Sequence, residues 1–246
     1  MKEEYISYQQ GAANLEGYLA YPEGKNLPAV IIFHAWRGRD DFVKEQARML
    51  AHLGYAGFAA DIYGKGILGK SPEESSRLMQ PFMEDRSLLR KRILAAWNTV
   101  NAWKGVDRAK IAAIGFCFGG LCALDLLRMG VEIQGVVSFH GLLMAPQGIN
   151  QEKIKGKALV LHGNDDPMVP PEQVRAFAEE MTHAGVDWQM HIYGNTMHAF
   201  TNPLTNDPKA GTVYKALASK RAFLAMENFF AEIFQKEKRM TRPSTF

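Results

Sequence analysis

Apolar positions along this chain follow two periods that alternate from end to end. Ala29-Val30-Ile31-Ile32-Phe33 is an almost unbroken apolar run rich in β-branched residues. Such a run suits a strand covered on both faces, because every side chain then meets a dry surface. The same signal returns at Ala56–Ala60, Ile111–Phe116, Gly135–Phe139, Lys157–Leu161 and Trp188–Tyr193. Tyr5–Tyr8 and Leu15–Ala20 read as two further strands, joined through Gly11-Ala12-Ala13-Asn14. Stretches of helical period lie between the later strands: Asp41–Leu53 with Gly54 placed as its C-cap, Pro72–Trp103, Phe118–Arg128, Pro171–His183 and Pro208–Phe234. Strands that alternate with helices predict crossover units, hence an α/β fold with a mostly parallel sheet and helices on both faces. The segment Tyr63–Ser71, with three glycines, is a candidate lid or pocket wall.

Composition narrows the class. The 246 residues are 47% hydrophobic and 22% charged, which is globular rather than disordered. At about 150 residues per domain that length allows one large unit. With no linker visible, a single domain over 1–246 is expected, its core at about 5–234 and a basic tail at 235–246. A net charge of +3 is too small for a nucleic-acid binder of this length. The basic clusters Arg86–Arg92 and Lys236–Arg242 read as solvated helix faces or tail. Two cysteines, Cys117 and Cys122, make neither a disulfide framework nor a metal-ligand spacing. The charged start Met1-Lys2-Glu3-Glu4 gives no signal peptide, and no apolar run spans a bilayer. A cytoplasmic protein without a membrane partner is expected, as a monomer or small homo-oligomer.

One turn then changes the picture. The strand ending Ile111–Ile114 runs into Gly115-Phe116-Cys117-Phe118-Gly119-Gly120 and on into an apolar helix. A nucleophile on a tight strand-to-helix turn needs small neighbours two residues to either side. For cysteine the following helix N-terminus also favours the thiolate, the reactive form. Two later strands end in loops with the remaining parts. One holds His162-Gly163-Asn164-Asp165-Asp166-Pro167, the other Gly194-Asn195-Thr196-Met197-His198. Nucleophile, acid and histidine in that order, at carboxyl ends of strands, match the α/β-hydrolase fold. An oxyanion hole would combine the Phe118 backbone N–H with one from the loop after Phe33. On these residues alone the acid is either Asp165 or Asp166.

The elbow Gly-Phe-Cys-Phe-Gly-Gly, the loop Gly163-x-x-Asp166-x-x-Val169-Pro170 and His198-Ala199-Phe200 resemble the dienelactone hydrolase (carboxymethylenebutenolidase) family. Gly54-Tyr55-Ala56 and Ala60–Gly64 add to the resemblance, which runs from the first strands to about Phe234. It implies a triad of Cys117 as nucleophile, His198 as base and Asp166 as the acid that orients the imidazole, leaving Asp165 as a turn former. It also points to Trp36 N–H as the second oxyanion donor, and to hydrolysis of a small ester or lactone through an acyl-thioester. No metal and no organic cofactor is called for. A carboxylesterase or thioesterase of the same fold, or a non-catalytic ligand-binding relative, is the alternative.

The chain departs from the family at two places. Ala35 stands where many members carry a glutamate linked to gating of the cysteine, so that gating does not transfer. Asn202 stands where the dienelactone-cleaving members place a carboxylate-binding arginine, four residues after the histidine. Arg77 and Arg37 are the remaining candidate cations, and neutral substrates are expected. Tyr63 and His140 are further candidate substrate contacts, with Trp36, Phe82 and Met144 as apolar walls. His34, beside the oxyanion loop, either shapes the pocket or makes a structural hydrogen bond; His162 reads as a satisfied structural group, and Cys122 as core.

Overall fold

A computed structural model describes residues 1–148 and 153–234. The expected tail at 235–246, with the Lys236–Arg242 cluster, lies outside the described residues. An eight-stranded sheet runs through the molecule. Its strands are β1 (Lys2–Gln10), β2 (Ala13–Tyr21), β3 (Leu27–Phe33), β4 (Ala56–Ala59), β5 (Val106–Phe116), β6 (Gly135–Phe139), β7 (Lys157–Gly163) and β8 (Trp188–Tyr193). Their spatial order is β1-β2-β4-β3-β5-β6-β7-β8. The β1–β2 hairpin and the β2–β4 pair are antiparallel, and all the other pairs are parallel.

The helices among the described residues are α1 (Asp41–His52), α2 (Pro72–Glu84), α3 (Arg86–Ala102), α4 (Phe118–Arg128), α5 (Pro171–His183) and α6 (Ala216–Phe234). The apolar runs show why both faces must be covered. In β3, Ala29, Ile31 and Phe33 pack toward α3, α4 and α5, whereas Val30 and Ile32 pack toward α1 and α6. In β7, Ala158 and Val160 take the first face, Leu159 and Leu161 the second. Each fully buried Leu, Ile or Val stabilises by about 1.5–3 kcal/mol, so exposing either face would be prohibitive. Among the described residues no helix is long and apolar enough to cross a membrane.

Three expectations need correction. The stretch Pro72–Trp103 is two helices, not one. Asp85 leaves helical backbone and caps α3 by accepting from Leu88 N–H at 2.8 Å, and Pro81 weakens the last turn of α2. The helix expected from Pro208 begins at Ala216. The residues before it form a two-stranded ribbon, β9 (Asn206–Asp207) with β10 (Thr212–Val213). The cluster Arg86–Arg92 is a solvated face only in part: Lys91 is exposed, but Arg86 and Arg92 turn inward. Arg86 makes a forked pair with fully buried Asp125 of α4, Nη2 to Oδ2 at 2.7 Å. Arg92 is buried, its guanidinium over the Phe82 ring at 5.9 Å. Arg128 joins Asp125 at 3.2 Å and Glu180 of α5 at 2.7 Å, so α3 and α5 are tied to α4 by one ion network. At α1, Leu53 is the C-cap and Gly54 takes the positive-φ position just beyond it.

Candidate active site

Cys117 closes β5 and opens α4. Its backbone sits at φ 55°, ψ −118°, a region that costs a non-glycine residue about 1–3 kcal/mol. Close packing explains how that conformation is held. A Cβ on Gly115 would lie 1.8 Å from Gly119 O, and one on Gly119 would lie 2.0 Å from Phe33 O. Only glycine fits at either place, so the spacing of the elbow is a packing requirement. Cys117 N–H donates to Phe139 O at 3.0 Å, fastening the turn to β6.

The two loops after β7 and β8 meet beside it. Asp166 Oδ2 lies 2.7 Å from His198 Nδ1, and its Oδ1 accepts from Met168 N–H at 2.8 Å. Asp165 is exposed and turned away; its Oδ1 takes the Asn164 side-chain amide, and its N–H donates to Thr196 O. The β9–β10 ribbon pins His198 from behind. His198 N–H donates to Gly211 O at 2.9 Å, and His198 O accepts from Val213 N–H at 3.1 Å. The far ring nitrogen, Nε2, is buried and closes no hydrogen bond among the described residues.

The electrostatics follow from that arrangement. Burial alone would raise the thiol of half-buried Cys117, but the His198 imidazolium and the backbone N–H groups of Phe118 and Trp36 outweigh it. Its pKa therefore falls below the ordinary 9.0. Burial would lower His198, but the charge on Cys117 and the Asp166 hydrogen bond push it up to about 10. The two groups titrate as a pair, each charged form favouring the other: imidazolium lowers the thiol, and thiolate raises the imidazole.

Other sequence candidates fall in several places. The Tyr63 side chain is buried, and its hydroxyl donates to Trp36 O at 2.8 Å. Its ring stacks between Phe118 (6.1 Å) and Phe82 (5.6 Å). His140 is buried, at φ 40°, with Nε2 2.8 Å from Thr201 Oγ1 and its ring edge-on to His198 at 5.1 Å. Burial holds it well below the ordinary imidazole range, so it is neutral at pH 7. Arg37 is exposed and spends Nε on Gly69 O, and Arg77 is exposed on α2. Asn202 Oδ1 accepts from Leu204 N–H within its own turn. Trp36 and Met144 are partly exposed, whereas Phe82 is buried. Cys122 lies in the core, where burial raises its thiol. His162 departs from expectation, since its buried Nδ1 has no partner among the described residues.

Thr201, Met168 and the ribbon behind His198 have no signal in the sequence. They act through backbone groups or a single hydroxyl, which no residue spacing announces.

The sequence profile described as the dienelactone hydrolase family matches residues 15–234. The chain belongs to that family. A dienelactone hydrolase-like promiscuous phosphotriesterase, P91, from metagenomic libraries is 36% identical, with a TM-score of 0.91. The match covers 95% of this chain and 99% of that one. A solved structure named m3DLH is 38% identical at the same TM-score and the same coverage. An uncharacterised protein of Caenorhabditis elegans is 38% identical over 149 residues, 59% of this chain and 94% of its own. The protein is thus a dienelactone hydrolase-like carboxylic-ester hydrolase of α/β-hydrolase fold, in a family that acts on small molecules.

Proposed function

We propose that this dienelactone hydrolase-like enzyme cleaves a small neutral ester or lactone through a thioester on Cys117. The observation that supports it most directly is the 2.7 Å contact of Asp166 with His198 Nδ1, which leaves Nε2 on the Cys117 side. Asp166 holds the imidazole in one orientation and stabilises its cationic form. The Cys117 thiolate attacks the carbonyl carbon. The tetrahedral oxyanion then sits where the Phe118 and Trp36 N–H groups converge on the cysteine. Collapse expels the alkoxide, which takes the proton from His198 and leaves the acyl group on sulfur. Water, losing its proton to the now neutral His198, attacks the thioester; the acid departs and the thiolate returns. A neutral acyl substrate is favoured because Arg37 and Arg77 are solvent-exposed cations, and Asn202, whose Oδ1 is tied in its own turn, offers an amide in place of a charge.

The test is turnover of a panel of matched neutral and carboxylated esters, lactones and thioesters by wild type and Cys117→Ala. The alanine variant is expected to be inactive, and acid-quenched wild type to carry an acyl mass on Cys117. Full turnover by Cys117→Ala overturns the mechanism, and a strong preference for carboxylated substrates overturns the substrate class. The likeness to P91 supports a second reading, since a tetrahedral phosphotriester suits the same two N–H donors. A dialkyl aryl phosphate in the same panel tests it, with release of the phenol as the expected result.

A further inference from the structure

The backbone N–H groups of Phe118 and Trp36 both help to lower the Cys117 thiol, and only one of the two belongs to a helix. The Cys117–Phe118 peptide is held by α4: Cys117 O accepts from Gly120 N–H at 2.9 Å and from Leu121 N–H at 3.4 Å. The Ala35–Trp36 peptide lies in a loop with no such ladder. Its carbonyl, Ala35 O, accepts instead from Gly38 N–H at 3.1 Å and stands 2.7 Å from His34 Nδ1. In a trans peptide the C=O and the N–H point in opposite directions, so whatever grips the oxygen also aims the hydrogen.

The histidine's tautomer follows from its other nitrogen. His34 Nε2 lies 3.2 Å from Ile62 N–H, a backbone group that can only donate. Nε2 must accept, so the proton is on Nδ1 and the bond to Ala35 O is a donated one. The ring is fully buried and packed edge-on against Tyr63 at 4.8 Å, with Phe118 at 6.3 Å. A chain of polarised groups results, from Ile62 N–H through the imidazole and the Ala35–Trp36 amide to the thiol.

We propose that His34 is a positioning residue for the reaction: it clamps the Ala35–Trp36 peptide and so aims the Trp36 N–H at the developing oxyanion. The proposal rests on the thioester reading given above. The donor at Nδ1 does the aiming, and the acceptor at Nε2 only fixes which nitrogen carries the proton. The two roles can be separated, because an asparagine amide nitrogen stands near the place of Nδ1 and a glutamine oxygen near that of Nε2.

The experiment compares wild type, His34→Asn and His34→Gln for ester hydrolysis, for alkylation by iodoacetamide and for thermal unfolding. Loss of one whole oxyanion donor costs about 10²–10³ in kcat. With Gly38 still holding the carbonyl, His34→Gln is expected to lose roughly 10–100-fold in kcat with KM within about three-fold. His34→Asn is expected to lose less than about ten-fold. Alkylation displaces iodide and builds no oxyanion, so its plateau rate should stay within about two-fold in both variants. A merely structural role would depress alkylation, kcat and melting temperature together, and that pattern overturns the proposal. Equal losses in the two variants, or wild-type kcat in His34→Gln, also overturn it. A measurement without substitution stands beside these. The ¹⁵N shifts of wild-type His34 should show the proton on Nδ1, and a proton on Nε2 overturns the assignment. Failure of the thioester reading would show elsewhere, as hydrolysis that survives in Cys117→Ala.

Discussion

The elbow at Cys117 and the loop from His34 to Gly38 each deliver one N–H to the same sulfur, but they are held in place by different means. The elbow is fixed by crowding: Gly115 and Gly119 leave no room for a Cβ, and α4 is buried along its whole length. Behind it, Asp125, Arg86 and Arg128 anchor the helix through buried charge. The loop is held by directed hydrogen bonds, among them those from His34 and Gly38 to Ala35 O, from Tyr63 to Trp36 O, and the reciprocal pair between Arg37 and Gly69. Crowding fails all at once, because one added carbon collides with backbone. Directed bonds fail one at a time and leave the fold standing. Substitutions on the elbow side should therefore act through stability, and substitutions on the loop side through rate.

The largest effect lies outside both regions and sets the scale for them. Asp166→Asn keeps the shape but removes the charge beside His198 Nδ1, and roughly a 10⁴-fold loss of kcat is expected by analogy with serine proteases. Asp165→Asn should stay near wild type, since among the described residues that carboxylate bonds the Asn164 amide alone. Steady-state kinetics of the two variants check this. Equal losses would show that the acid has been misassigned.

Next in size is the anchor of the elbow. Asp125→Ala leaves the Arg86 and Arg128 guanidinium groups without their shared carboxylate in a buried site. Breaking a buried pair in this way costs about 3–5 kcal/mol. Urea denaturation should show that loss, while the folded fraction keeps a near wild-type kcat per active site by burst titration. A large fall in kcat with unchanged stability would break the contrast between the two regions.

How legible each region is in the amino-acid sequence follows from the same difference. Crowding selects residue types, so Gly115, Cys117 and Gly119 stand out in the chain by their identities and spacing. The strands stand out for the same reason, since a surface buried on both sides tolerates only apolar residues. Directed bonds to backbone select almost nothing. Trp36 supplies an N–H that any residue but proline would supply, and only the family resemblance points to it. Tyr63 reads from the sequence as a substrate contact, whereas its hydroxyl serves the Trp36 carbonyl. The break at Asp85 escapes the sequence pattern because the apolar period continues across it, while the cap acts through one carboxylate. Where β9 and β10 form, the residues Asn206–Asp207 and Thr212–Val213 are too few for any period to register.

A smaller effect belongs to the loop. Tyr63→Phe keeps the stack between Phe118 and Phe82 and deletes only the bond to Trp36 O. One such bond contributes about 0.5–1.5 kcal/mol, so a loss of roughly 2–10-fold in kcat is expected with little change in melting temperature. If Tyr63→Phe lowers the melting temperature as far as Asp125→Ala does, the loop is held by packing as the elbow is.

The smallest effect is a midpoint rather than a rate. Ala35 puts no carboxylate beside the thiol, so in the free enzyme the partners of Cys117 are His198 and the two N–H groups. Its pKa lies below 9.0, and His198 stays protonated up to about 10. Alkylation by neutral iodoacetamide without substrate should therefore rise with pH through a midpoint below 9.0 and then level off as the thiolate fraction saturates. Under the proposed mechanism, in which the leaving alkoxide takes the His198 proton, ester hydrolysis shares that acid limb and should fall again near pH 10. Trp36 N–H contributes to the depression from the loop side and Phe118 N–H from the elbow side. Loosening the loop with His34→Gln should move the alkylation midpoint upward by a fraction of the whole shift, leaving the share from His198 and Phe118 in place. A midpoint at or above 9.0 in the wild type, or alkylation that begins only when a substrate analogue is added, would mean that some other group holds the thiol.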